Sequence, residues 1–158
     1  MLVIQEDTRQ KAGKHDLKHE YFNQRDISII RCKLPFGDYA LVPSVSIDTK
    51  ENMDEIAANI CGSEHRRFIT ECKAAKEAGT QLIILVENEL GITDISQVHT
   101  WLNPRVIYSP KCVQGDRLQK AMETINQRYG TIFLFCAPDE AGKRIMEILT
   151  TWKKGENF

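Results

Sequence analysis

The residues best suited to chemistry lie within residues 34–54, LPFGDYALVPSVSIDTKENMD. Asp38 follows a glycine and opens a short apolar run, and a second run ends in Asp48 and Lys50, one residue apart. A Pro-Ser pair separates the two runs, which is typical of a hairpin turn. Because side chains alternate along a strand, Asp48 and Lys50 share one face. Two carboxylates and an ammonium at one end of a hairpin suit a divalent cation and a phosphate.

The facing of Asp38 depends on how the hairpin turns. A strict two-residue turn would place Asp38 opposite Thr49, on the wrong face, because a one-residue slip reverses the facing of a strand. If Asp38 and Asp48 converge, the loop must hold an odd number of residues, or a bulge must lie near Gly37. The sequence therefore predicts a departure from the regular two-residue hairpin.

Three further acids end other apolar runs and are expected to reach the same rim: Glu6, Asp7 and Glu87. A metal held there would polarise a phosphoryl oxygen, and Lys50 would stabilise the developing charge or orient the attacking hydroxide. Spacing alone leaves another interpretation open. Aspartate after glycine is a common turn residue, and Asp-x-Lys at a strand end is often a solvated ion pair.

Composition limits the class of protein. A chain of 158 residues with 42% hydrophobic and 27% charged residues predicts a single globular domain over residues 1–158. The formal net charge of -1 gives no bulk attraction to nucleic acid, so any such contact needs a local basic face or a metal. Five scattered cysteines without a CxxC pair favour reduced thiols, and no apolar run is long enough for a membrane span. We expect a cytoplasmic protein that does not bind a membrane.

The hydrophobic pattern predicts an α/β fold of three layers, α/β/α, around one central mixed sheet. An antiparallel-leaning group of strands comes first, and helices and strands then alternate. The predicted strands are Leu2–Gln5, Ile27–Cys32, Asp38–Val42, Val45–Lys50, Gln81–Val86 and Thr131–Cys136. The predicted helices lie within Lys11–Arg25, from Asn52 or Asp54 to Ile60, over Glu64–Ala78 after a Ser63 cap, over Ser96–Leu102 until Asn103-Pro104, and over Asp116–Tyr129 and Pro138–Trp152.

The hairpin resembles the nuclease domain of the XPF/Mus-type structure-specific endonucleases, within the restriction-endonuclease-like PD-(D/E)XK nuclease superfamily. The family signature is Gly-Asp, a spacer, Glu-Arg-Lys, three residues and Asp. The matching segments are Gly37-Asp38, Asp48-Thr49-Lys50 and Asp54, with Asp7–Gln10 similar to the family's Asp-x-Arg-Glu, and with Arg67-Phe68 and Val86-Glu87 at family positions.

Three departures from the family pattern matter. Asp48 stands where the family has glutamate, Thr49 where it has arginine, and Gln10 where it has an acid. A contribution to activity at the last two positions is therefore in question. The family's tandem helix–hairpin–helix module is not in this sequence, so we expect the compact form that bacteria and their phages carry.

The resemblance implies a Mg²⁺- or Mn²⁺-dependent endonuclease that hydrolyses phosphodiester bonds in DNA, with branched or flapped DNA as a candidate substrate. It implies metal binding by Asp38, Asp48 and Asp7, the Thr49 carbonyl as a further ligand, and Lys50 at the reacting phosphate. It also implies a supporting role for Asp54. The expected DNA contacts are Arg67, Arg66, Arg9 and Tyr39, although Tyr39 is also suited to packing beneath the site.

Related nuclease domains pair through C-terminal helices, so a homodimer through Pro138–Trp152 is one expectation. The apolar stripe of that helix, Ile145, Ile148, Leu149 and Trp152, is also suited to an ordinary core. Two rival functions remain. One is a nuclease-fold module that binds DNA or assembles with little catalysis. The other is a small-molecule enzyme of flavodoxin-like architecture, which requires strictly parallel strands.

Overall fold

The computed structural model describes residues 2–11, 13–41 and 44–153. Within these ranges, six strands form one sheet in the order β2-β1-β3-β4-β5-β6. The central strand β4 is buried on both faces, as its run of β-branched residues predicts. The strands are β1 (Leu2–Asp7), β2 (Ile27–Cys32), β3 (Tyr39–Ala40), β4 (Val45–Lys50), β5 (Gln81–Glu87) and β6 (Ile132–Cys136).

The sheet is mixed because β3 runs antiparallel to both of its neighbours, β1 and β4, while the other pairs are parallel. This confirms the predicted fold class and contradicts the flavodoxin-like alternative. The antiparallel-leaning interpretation of the first strands was wrong for β1 and β2. The helix between them serves as the crossover that a parallel pair requires.

In the described part of the chain, five α-helices cover the two faces of the sheet: α1 (Asp16–Asn23), α2 (Met53–Cys61), α3 (His65–Glu77), α4 (Gly115–Tyr129) and α5 (Ala141–Lys153). Helices α2, α3 and α4 pack on one face, where Ile84 and Val86 of β5 meet Ile56, Phe68 and Met122. Because strand side chains alternate, this is also the face of Asp48 and Lys50.

Helices α1 and α5 pack on the opposite face, against Ile4, Tyr39 and Ile47. The stripe of α5 lies in this layer, with Ile145, Ile148 and Leu149 buried and Trp152 partly buried. The stripe therefore serves the core, and a dimer formed through α5 would have to use its other residues. Dimerisation stays a prediction.

Several boundaries differ from the sequence prediction. Helix α3 begins at His65, and no side chain caps its N-terminus, so the Ser63 cap was wrong. The helix predicted over Ser96–Leu102 is a 3₁₀ helix, Ile95–Thr100, which ends before Asn103-Pro104. Pro104 then opens a second 3₁₀ helix, Pro104–Ile107. Strand β3 is shorter than predicted, and Val42 and Pro43 lie outside the described residues. No helix in the described ranges is long and apolar enough to cross a bilayer.

Candidate active site

The acids of the hairpin meet in one row across the sheet. The β3–β4 ladder pairs Tyr39 with Ile47, so its continuation places Asp38 opposite Asp48. The β1–β3 ladder pairs Glu6 with Tyr39, so its continuation places Asp7 next to Asp38 on the other side. Asp7, Asp38 and Asp48 line one cleft of about 870 Å³. The predicted departure from a two-residue hairpin is confirmed.

Gly37 makes the entry to this row possible. Its φ of +67° lies in the left-handed region, and a Cβ there would come within 2.7 Å of the Ile47 carbonyl oxygen. The Asp38 amide donates to that same carbonyl at 2.7 Å. Because the backbone presses against β4 at this point, the Gly-Asp order is a steric requirement of the site.

The Asp38 carboxylate is oriented by Thr49 of β4 and by Gln10 in the segment that follows β1. The Thr49 amide and hydroxyl both donate to Asp38 Oδ2, at 2.8 and 2.6 Å. The Gln10 side-chain amide donates to Asp38 Oδ1. Both carboxylate oxygens are thus fixed, so the direction in which Asp38 presents its remaining lone pairs is set by neighbouring side chains.

Asp48 and Lys50 form a buried ion pair, with Lys50 Nζ 2.9 Å from Asp48 Oδ2. Burial raises the pKa of the Asp48 carboxyl, and the negative charges of Asp38 and Glu71 add to this effect while Lys50 opposes it. Burial lowers the pKa of the Lys50 ammonium, but the negative charges of Asp48, Glu55 and Asp38 together outweigh that effect and leave the pKa raised. Lys50 therefore stays charged at neutral pH.

Asp7 is buried and held from two sides. Arg9 Nε lies 2.6 Å from Asp7 Oδ2, and the Leu34 amide donates to Asp7 Oδ1 at 3.0 Å. A second nitrogen of Arg9, Nη2, donates to the Leu34 carbonyl at 2.7 Å. Arg9 lines the cleft, but its guanidinium already bonds to Asp7 and to the Leu34 carbonyl. Its position therefore suits it to orient Asp7 more than to contact DNA.

Two glutamates of the cleft were missed by sequence reasoning. Glu71 on α3 accepts a hydrogen bond from the Gly37 amide at 3.2 Å, and its negative charge helps to raise the pKa of Asp48. Glu55 on α2 lines the cleft, and its negative charge helps to raise the pKa of Lys50. A signal existed for Glu71. It lies four residues after Arg67 and next to the buried stripe of α3, so helical spacing places both on the cleft side.

Three acids expected at the site lie elsewhere. Asp54 is exposed and lines a different cleft, because the first turn of α2 points Glu55, and not Asp54, toward Lys50. Glu6 and Glu87 have the opposite strand parity and face the α1 layer. There Glu6 contacts His19 at 2.5 Å and Arg31 at 3.2 Å, and Glu87 pairs with Lys18 at 2.8 Å.

The predicted DNA contacts divide in the same way. Tyr39 is fully buried in the α1–α5 layer and bonds to His15, so it packs in the core and does not line the cleft. Arg66 is exposed on α3 but lies outside the cleft. Arg67 lines the cleft with 87% of its side chain exposed and only a loose 3.8 Å pairing with Glu64.

The donor set fits a hard divalent cation. Asp38 and Asp48 concentrate carboxylate oxygens in a cleft whose buried negative charge Lys50 offsets in part. Among the described residues, no three His, Cys, Asp or Glu side chains complete a metal shell by themselves. Mg²⁺ commonly takes one or two carboxylates and completes its shell with water and phosphate. The side chains present are therefore compatible with a divalent cation that completes its shell with water and phosphate.

Comparison with known proteins agrees with this architecture. A family model described as the ERCC4 domain matches residues 7–146. A solved structure of XPF from Aeropyrum pernix has a TM-score of 0.66 at 18% identity, over 96% of this chain and 65% of that chain. A structure of XPF from Aeropyrum pernix in complex with DNA has a TM-score of 0.69 at 17% identity, over 98% and 66%. No curated protein matches the chain significantly.

At such identities the likeness to XPF concerns the fold. It includes the mixed sheet with helices on both faces. The chain spans just under two thirds of the length of the XPF chains that it matches.

Proposed function

Since the chain belongs to the ERCC4 domain family, we propose that it is a divalent-metal-dependent endonuclease that hydrolyses phosphodiester bonds in DNA. The observation that carries the proposal is the convergence of Asp38, Asp48 and Lys50 in one cleft beside Asp7. The XPF structure of similar fold was solved in complex with DNA, which supports DNA as the substrate. We extend the proposal to branched or flapped duplexes.

Asp38 and Asp48 would hold Mg²⁺ or Mn²⁺, with the Thr49 carbonyl as a further ligand. The bound ion would polarise a phosphoryl oxygen and lower the pKa of a bound water. Asp38 is prepared for this role because Thr49 and Gln10 fix its carboxylate. Asp7, held by Arg9, would orient water at the neighbouring position of the row.

Lys50 would act through its charge. Its raised pKa keeps the ammonium protonated at neutral pH, so it cannot take a proton from water in that state. A fixed cation 2.9 Å from Asp48 is instead placed to stabilise negative charge that builds up on the phosphate. Of the two roles expected for Lys50, charge stabilisation is the one that its surroundings favour.

Arg67 would bind the DNA backbone at the mouth of the cleft. Its guanidinium is exposed and its partner Glu64 is 3.8 Å away, so it is available for a phosphate. Contacts of this kind fix the register of the backbone without reading the base sequence. This placement agrees with an enzyme that recognises the shape of its substrate.

One observation favours a second candidate, a nuclease-fold DNA-binding module with weak catalysis. Gln10 donates to Asp38 at the position where the family pattern has an acid. A neutral amide there provides one negative charge fewer for a metal. If this module is the true function, the protein will bind DNA equally well in Mg²⁺ and in EDTA and will not cleave it.

Cleavage of an end-labelled flapped duplex tests the proposal directly. We expect cleavage in Mg²⁺, none in EDTA, and a loss of about 100-fold or more for Lys50→Ala, in the range for removal of a charge-stabilising group. Lys73→Ala is the matched control, because Lys73 is exposed on α3 and lies outside the cleft. Equal cleavage by wild type and Lys50→Ala would reject the assignment.

A further inference from the structure

The loop formed by residues 102–113, which contains the short 3₁₀ helix Pro104–Ile107 and leads into α4, exposes an unusual amount of apolar surface. Leu102, Ile107 and Tyr108 are 83%, 86% and 77% exposed, and Val106 is 45% exposed. Eight large apolar side chains are exposed in the described parts of the chain, and four of them are in this loop. A cluster of this kind indicates a binding surface, whereas single exposed apolar residues are ordinary.

This 102–113 loop is held in place at its base. Asn103 is buried, and its side chain donates to the Val113 carbonyl at 2.9 Å and accepts from the Arg105 amide at 3.0 Å. The Asn103 amide donates to Gln114 Oε1 at 3.1 Å. Further along, the Ser109 amide donates to the Arg105 carbonyl at 2.7 Å. The apolar side chains are therefore presented by an ordered backbone.

The surface beside the loop is basic. Arg105, Lys111 and Arg117 are exposed and line a cleft of about 440 Å³ together with Tyr108. None of these three cations forms an ion pair with a residue in the described ranges. The carboxylate among the cleft residues is Asp54. Cations without an ion-pair partner can bind phosphates, and an exposed aromatic ring can stack on a base. A single-stranded nucleic acid offers both groups.

Helix α2 separates this basic cleft from the proposed active site. Glu55 and Asn59 face the active-site cleft, whereas Ala57 and Cys61 face the basic cleft. An α-helix with its side chains is about 10 Å wide. Since nucleotides in a DNA strand are spaced by about 3.4 Å, about three nucleotides span the width of a helix. One substrate can therefore occupy both.

We propose that the 102–113 loop binds the unpaired nucleotides of a branched DNA substrate. Tyr108 would stack on an exposed base, Ile107 would pack against it, and Arg105 and Lys111 would bind the adjoining phosphates. Paired bases offer their faces to a protein only after unstacking, so the loop adds affinity where strands separate. The inference rests on the proposed nuclease function and specifies the part of the substrate that the chain recognises.

Binding is measured separately from cleavage. The test of the 102–113 loop therefore does not depend on whether the protein is a nuclease. Fluorescence anisotropy in EDTA compares a flapped duplex with a fully paired duplex of the same length. We expect wild type to prefer the flapped duplex. The double variant Ile107→Ala, Tyr108→Ala should bind the flapped duplex about tenfold more weakly, while its affinity for the paired duplex changes less than twofold.

A second double variant, Arg105→Ala with Lys111→Ala, tests the phosphate contacts. It should lower the salt dependence of flapped-duplex binding by about 1.4 in the slope of log K against log salt, because each phosphate contact on a single strand contributes about 0.7. The matched controls are Leu17→Ala and Lys143→Ala, which remove an exposed apolar group and an exposed charge from the α1–α5 layer. Both controls should bind like wild type.

The inference is overturned if wild type does not prefer the flapped duplex, or if the Ile107 and Tyr108 variant loses equal affinity for both duplexes. It is also overturned if this variant binds DNA normally but converts a wild-type dimer to a monomer in sedimentation, since the loop then binds a second copy. Absence of cleavage by wild type, with the expected binding differences intact, would reject the nuclease function and leave the binding surface.

Discussion

Asp38 and Asp48 lie opposite each other because the β3–β4 ladder pairs Tyr39 with Ile47. A shift of one residue would have placed Asp38 opposite Thr49 and turned it away from Asp48. The observed register puts Thr49 where its amide and hydroxyl fix the Asp38 carboxylate. One register choice therefore brings the two acids together and orients one of them.

Gly37→Ala should disturb this register. The substitution places a Cβ 2.7 Å from the Ile47 carbonyl and forces alanine to a φ of +67°. We expect the free energy of unfolding to fall by about 2 kcal/mol or more, with weakened Mg²⁺ binding as Asp38 moves. Urea unfolding and calorimetry with Mg²⁺ measure the two effects.

Gly79→Ala is a matched control for Gly37→Ala. Gly79 has a φ of +72° at the end of α3, and a Cβ there would meet no atom within 4 Å. It should lose about 1 kcal/mol from backbone strain alone and bind Mg²⁺ like wild type. If Gly37→Ala and Gly79→Ala gave the same loss and the same Mg²⁺ affinity, Gly37 would have no special role in positioning Asp38.

Asp48→Asn should abolish specific Mg²⁺ binding, whereas Asp54→Asn should not change it. Asp48 lies in the acidic row beside Lys50, but Asp54 is exposed on the other side of α2. Wild type and Asp54→Asn should therefore gain thermal stability from added Mg²⁺, because a ligand of the folded state alone stabilises it. A thermal-shift titration with Mg²⁺ distinguishes the two positions, and loss of the shift in Asp54→Asn would restore Asp54 to the site.

The contrast between Asp54 and Glu55 shows where sequence reasoning reached its limit. Strand alternation correctly placed Asp48 and Lys50 on one face, because a strand has a period of two that is visible in sequence. In the first turn of α2, the residue at which the helix begins after β4 decides which side chain points toward the cleft. Asn52, not Asp54, caps that helix, and this choice brings Glu55 to Lys50.

Glu6 and Glu87 show a related limit. Glu87 ends β5, and Glu6 is the residue before the last one of β1, but each lies one residue out of phase with the site face. Strand ends mark the correct edge of the sheet, and the face is decided by parity within the ladders, which a single sequence does not display. The same parity places Tyr39 in the core, so the register of the ladders explains all three positions.

Glu71→Gln should weaken metal binding without removing it. Glu71 contributes negative charge near Asp48, and its oxygen accepts from the Gly37 amide, a bond that glutamine can keep. We expect the Mg²⁺ concentration for half-maximal binding to rise by about two- to tenfold, equivalent to about 1 kcal/mol. Glu77→Gln, exposed at the end of the same helix, is the control. Equal Mg²⁺ affinities of the two variants would show that Glu71 is structural only.

His15 gives the fold a predictable dependence on pH. It is 2% exposed, shares a hydrogen bond with the Tyr39 hydroxyl, and its Nε2 has no partner among the described residues. Burial lowers the pKa of His15 to about 4, the charges of Lys18, Lys14 and His19 add to this, and Glu6 opposes it. The folded protein therefore keeps His15 neutral at pH values where the unfolded chain protonates it.

The free energy of unfolding should consequently decrease as the pH is lowered from the ordinary histidine pKa of 6.5 to about 4. In that interval the unfolded state binds the extra proton, so His15 contributes a slope of up to about 1.4 kcal/mol per pH unit. Urea unfolding at several pH values should show a shallower slope for His15→Gln, even if that variant is less stable at pH 7. His99→Gln, at an exposed histidine, should keep the wild-type slope. Parallel curves for wild type and His15→Gln would show that His15 does not carry this pH dependence.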